Sequence, residues 1–131
     1  MKATNTQLIE ANVGLAAIGK KKSQNTKLIY RLARNKRLIS NTLKDYGNAR
    51  QSLVDEYSEK DEKGNPVPGD DPDTIKLTEG KIEEFGEKIK ELQNIEIDID
   101  THEIEMEMFE EIEGGISADE IMLIDWMIVE K

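Results

Sequence analysis

The chain has no cysteine and a single histidine, His102. Without cysteine there are no disulfides, thiolate metal sites or cysteine nucleophiles, which suits a reducing cytoplasm. Aromatic residues make up only 5%, too few for an array on which bases could stack. The three prolines fall within Glu62–Pro72, so the rest of the chain is open to long helices. No apolar run approaches the ~20 residues needed to cross a bilayer. The richest, Ile121–Ile124, meets Asp125 and then continues only through Trp126–Val129. The opening residues, Met1-Lys-Ala-Thr-Asn-Thr-Gln7, lack the apolar centre of a signal peptide. A soluble protein with no membrane partner is expected.

Charge, by contrast, is abundant, and it is unevenly placed. Residues 1–50 carry eleven Lys/Arg against Glu10 and Asp45, whereas residues 51–131 carry seven against twenty-six Asp/Glu, giving a net charge of −10. One reading sets the basic part against the acidic part, within a chain or between subunits. The other is a nucleic-acid patch, which the net negative charge opposes at long range. At 131 residues the chain is sized for one domain.

The stretch Leu28–Tyr57 contains no proline and one glycine. Ile29, Leu32, Ile39, Leu43, Tyr46, Leu53 and Tyr57 recur at helical spacing, with Lys36 and Arg50 in the remaining seam positions. There the two cations are expected to snorkel or to pair with carboxylates on an opposing arm. Ile75, Ile82, Phe85, Ile89 and Leu92 repeat the pattern. Residues 26–60 and 74–93 therefore predict an antiparallel helical hairpin joined by an acidic loop, 61–73, expected to be solvated. Asp71 or Asp73 is a candidate cap for the second arm. Gly47 within the first arm predicts a close backbone crossing.

A shorter N-terminal helix is expected over residues 5–19, weakened by Gly14 and stopped by Gly19. Lys20, Lys21 and Lys22 then lie where cations favour the helix C-terminus. With Arg31, Arg34 and Arg37, a ridge about two turns long on the main helix, they form a candidate basic interaction patch. Ile95–Asp100 and Ile104–Met108 alternate apolar and acidic residues, so residues 95–109 predict an antiparallel β-ribbon turning near Asp100–Glu103. Ser117-Ala-Asp-Glu120 is a capping box opening a C-terminal helix over 117–130. That helix is apolar almost all round and is expected to be buried, partly by a second subunit or a partner. Ile121, Ile124, Trp126 and Ile128 are its candidate face. The fold class expected is α+β.

The chemistry-bearing groups do not assemble into a catalytic pattern. Asp98, Asp100 and His102 alternate, but a lone histidine among carboxylates is an ordinary solvated turn. The acidic loop lacks the ligand spacing and central glycine of an EF-hand. Glu105/Glu107 and Glu110/Glu111 read as polar faces with no nucleophile beside them. No phosphate loop, nucleophile elbow or zinc-ligand pair is present. No catalytic, cofactor or metal residue is assigned, and the protein is expected not to be an enzyme.

The runs Tyr30-Arg-Leu-Ala-Arg-Asn35, Asp45-Tyr-Gly-Asn-Ala-Arg50, Glu56-Tyr-Ser-Glu-Lys-Asp-Glu-Lys-Gly-Asn-Pro66 and Ile116-Ser-Ala-Asp-Glu-Ile121, with the alternating stretch between Ile95 and Met108, give the chain a recognisable profile. It resembles a family of small proteins of tailed phages and prophages, mainly of Gram-positive bacteria. The resemblance implies a phage context, in the host cytoplasm or the virion, and assigns no activity, ligand or residue role. The expected function is protein–protein contact as a minor virion component or assembly factor, with self-association included. A host-directed inhibitor of defence or regulation is the alternative, followed by a nucleic-acid-binding accessory protein.

Overall fold

The computed structural model describes residues 1–69 and 76–130. In chain order its elements are β1 (Lys2–Thr4), α1 (Asn5–Ile18), α2 (Thr26–Tyr57), α3 (Ile82–Gln93), β2 (Glu96–Asp98), β3 (Ile104–Glu105), α4 (Ala118–Ile124) and β4 (Ile128–Val129). The fold is α+β. Contacts gather the chain into two units, Met1–Lys44 with Glu96–Lys131, and Asp45–Ile95.

In the first unit, Thr4 starts α1 through a capping box: its Oγ1 accepts from the Gln7 N–H, and its own N–H donates to Gln7 Oε1. Leu8, Ala11, Leu15 and Ile18 then form a buried stripe. Gly14 lies where α1 meets α4, and a Cβ there would fall 2.8 Å from Leu123 Cβ. The glycine that weakens the helix in isolation is what admits its neighbour. Asn25 caps α2, its Oδ1 accepting from the Leu28 N–H.

The β-structure differs from the expected hairpin. β2 pairs antiparallel with β1, Ala3 opposite Ile97, while β3 pairs parallel with β4, Ile104 opposite Ile128. The two alternating stretches thus pair with the chain's two end segments and not with each other. Asn35 of α2 explains part of this: its side-chain amide donates to the His102 carbonyl at 2.8 Å and accepts from the His102 N–H at 2.7 Å. Both backbone groups that a turn at that point would use are therefore occupied. Met106–Glu111 coils into a 3-10 helix that buries Met108 and Phe109.

The C-terminal helix also ends early. Ser117 and Glu120 form the expected capping box, but the α-helix stops at Ile124, Asp125–Met127 form a 3-10 turn, and β-branched Ile128 and Val129 continue as strand. The uniform helix over 117–130 does not form, because its apolar residues are divided among three backbone states that aim them differently.

In the second unit, Tyr57 at the end of α2 meets the start of α3. Its hydroxyl donates to Glu84 Oε1 at 2.9 Å and its ring lies 5.8 Å from that of Phe85. Towards the other end, Ala49 and Leu53 face Leu92 and Ile95 across a hollow of ≈ 360 Å³, so the arms run antiparallel. α3 begins at Ile82, later than the expected residue 74, because Gly80 at φ 83° breaks any approach to it. Gly47 has open space beside it in place of the expected crossing. The described part of the acidic connection is tied down by bridges of Ser58 to Leu77 and Lys60 to Pro66. Asp61 Oδ1 accepts there from the N–H groups of Lys63 and Asn65. Asp70, Asp71, Asp73 and Ile75 lie outside the described residues, as does the capping expected of Asp71 or Asp73.

Candidate functional site

The buried stripe of α2 decides what that helix leaves outside. It runs Leu28, Leu32, Asn35, Ile39, in steps of four, three and four, keeping Leu32 and Ile39 of the expected seam but taking Leu28 and Asn35 in place of Ile29 and Lys36. Those two residues stand beside the core instead, and Ile29 is 49% exposed. They form one wall of a groove of ≈ 270 Å³ floored by Leu15, Ile18, Leu28, Leu32 and Ile112, with Lys20 and Lys21 opposite.

The groove shares Gly19, Lys21, Ser23 and Ile29 with a wider hollow of ≈ 860 Å³ that adds Lys22, Glu111 and Glu113. The connector between α1 and α2 is held in place by a backbone bridge of Ser23 to Ile112 and by the Glu113 N–H donating to the Lys22 carbonyl. Lys21 is spent on structure. Its Nζ donates to the Gly115 carbonyl at 3.0 Å and pairs with Glu120 at 3.1 Å. The Glu120 carboxyl is held below the ordinary carboxylate range, first by the backbone N–H of Ser117 and then by Lys21. Lys20, Lys22 and Lys36 are exposed and make no ion pair among the described residues.

The six expected basic residues do not converge. Arg31 lines a different cavity, of ≈ 540 Å³, with Thr101, His102 and Glu103, and donates to the Glu103 carbonyl at 2.9 Å. Arg34 is half-buried and Arg37 exposed, and neither lines the groove or that cavity. At the C-terminal face Ile124 is fully buried, while Ile121, Trp126 and Ile128 are half-buried, the last two packed against the core. Met122 is the apolar residue of Ile121–Val129 left outside, at 72% exposure.

Among the described residues no three His, Asp or Glu side chains gather as a metal site. Asp98 lies 3.2 Å from the Met1 nitrogen, and His102 is held by Asn35 with its ring edge-on to Tyr30. No described helix is long and apolar enough to cross a membrane. Chemically, the groove offers an apolar seat with ammonium groups at its rim. Sequence reasoning missed it because the expected α2 seam, right at Leu32 and Ile39, takes Ile29 and Lys36 where the structure buries Leu28 and Asn35. The missed signal is Leu28, whose spacing to Leu32 and Ile39 is equally helical once Asn35 is accepted as the polar member.

No protein-family model, no curated protein and no solved structure matches the chain.

Proposed function

We propose that this is a non-enzymatic phage protein that works through protein–protein contacts, as a minor virion component or an assembly factor in the host cytoplasm. The phage context rests on the sequence resemblance. The contact role rests on one observation: an apolar groove beside an exposed isoleucine, rimmed by Lys20 and Lys36, which pair with no carboxylate among the described residues. Surfaces of that composition gain by excluding water against a partner. The glutamates on the adjoining wall weigh against phosphate in the same place.

Quantitative mass spectrometry of gradient-purified virions, paired with cross-linking in infected cells, tests the reading. A fixed copy number per particle supports a virion component. Abundance in cells, cross-links to other phage proteins and absence from particles support an assembly factor. A protein with no cross-linked protein neighbour in either setting overturns the proposal.

A further inference from the structure

The second unit carries a patch whose chemistry complements the groove. Ile82, expected in the seam of α3, is 62% exposed. Glu79 and Glu83 stand beside it, both exposed. One turn further along, Gly86 has nothing within 4 Å of where a Cβ would be, so another surface can approach the helix closely there. Each arm of the expected hairpin thus leaves one seam isoleucine uncovered: Ile29 among lysines and Ile82 among glutamates.

We infer that the groove receives the Ile82 patch of a second copy of this chain, an inference that rests on the contact role proposed above. Ile82 seats over Leu28, Leu32 and Ile112, while Glu79 and Glu83 reach Lys20 and Lys36. Two features favour this occupant over a nucleic acid. The floor is apolar, and Glu111 and Glu113 line the continuation of the groove, where phosphates would be repelled. Lys81, next to Ile82, lies over the Tyr57 ring at 6.0 Å and so is drawn to its own unit. Each copy offers one groove and one patch, so copies join through groove-to-patch contacts, reciprocal in a two-fold dimer or propagated in a ring or filament.

The test uses full-length protein and light scattering at high micromolar concentration, with Trp126 fluorescence confirming that the first unit is folded in each variant and far-UV circular dichroism confirming the helices of the second. Wild type is expected to be oligomeric. A groove variant, Lys20→Glu with Lys36→Glu, and a patch variant, Ile82→Ser, each weaken self-association by about tenfold or more, as loss of a complementary interface does. Mixed one to one, they re-form a dimer and stop there, since each supplies the surface that the other lacks.

A monomeric wild type overturns the inference, as do variants that keep the wild-type oligomer or a mixture that stays monomeric. Steeply salt-dependent binding of a thymidine oligonucleotide, abolished by Lys20→Glu with Lys36→Glu, also overturns it and assigns the groove to phosphate. A monomer that still cross-links to other phage proteins would sink this inference and leave the proposed contact role standing.

Discussion

The two units differ in what holds them. Every member of the buried apolar cluster belongs to the first, from Ala3 through Ile39 and from Ile99 through Met127. In the second, α3 has no buried residue, and Tyr57 is the one apolar side chain described as buried. There the chain is organised by capped turns, backbone bridges and the Tyr57–Glu84 hydrogen bond, and it carries fourteen Asp/Glu against seven Lys/Arg. Burial scales with apolar area removed from water, whereas exposed hydrogen bonds and ion pairs return little net stability. The first unit is therefore expected to set the melting behaviour, with the second opening more readily.

The strongest way to break this contrast is to empty the first core. Ile124→Ala should cost about 2–5 kcal/mol, read by denaturant unfolding followed through Trp126, which reports on that unit. Leu92→Ala, half-buried in the second unit, should cost about 1 kcal/mol or less, read by unfolding followed through far-UV circular dichroism. Equal losses would show that the second unit is packed as tightly as the first.

Asn35→Ala strands the N–H and carbonyl of His102. A fully buried unsatisfied group costs about 1–3 kcal/mol; both bonds here are part-buried, so the loss should be about 2 kcal/mol, the low end for two groups. Hydrogen exchange at His102 should rise most.

One substitution made in both units should change sign. Gly14→Ala drives a methyl into Leu123, an overpacking cost of about 1–3 kcal/mol that outweighs the gain of about 1 kcal/mol from helix propensity. Gly47→Ala and Gly86→Ala point into open space and should each stabilise by up to about 1 kcal/mol. Circular dichroism melts of the three variants make the comparison.

The smallest effect is electrostatic. Glu120 has its carboxyl pKa lowered by folding, so its contribution is present above its unfolded value near 4.5 and is lost as pH falls through the depressed folded value. Glu120→Gln should flatten the fall in stability as pH drops below about 4.5, and an unchanged profile would show that the Ser117 and Lys21 contacts add nothing to stability.

These contrasts show what was legible in the residues. Local signals carried through: the Ser117 capping box, the 3.6-residue periodicity of α2, the antiparallel approach of Tyr57 to Phe85. Signals that depend on a distant partner did not. Strand alternation at Ile95–Asp100 revealed a strand but not that Lys2–Thr4 would pair with it, since a three-residue strand carries almost no pattern of its own. The α2 seam was misplaced because its true series includes Asn35, and a buried asparagine reads as solvent-facing until the backbone it grips is known. The groove followed that error. A seam would account for Ile29 and Lys36, and their displacement from it is what makes them a surface.

The pairing of β1 with β2, and of α1 with α4, has a consequence for synthesis. The first unit is assembled from two segments separated by the whole of Asp45–Ile95. Its core needs Met127 as much as Leu8, so it cannot close until Met127 has been made. The intervening hairpin needs only residues already made and can form first, which shortens the open loop that closure must overcome. At synthesis rates of about 5–20 residues per second, the nascent chain presents α1 uncovered for roughly 5–20 seconds before Met127 is made, and chaperone dependence would be concentrated in that interval.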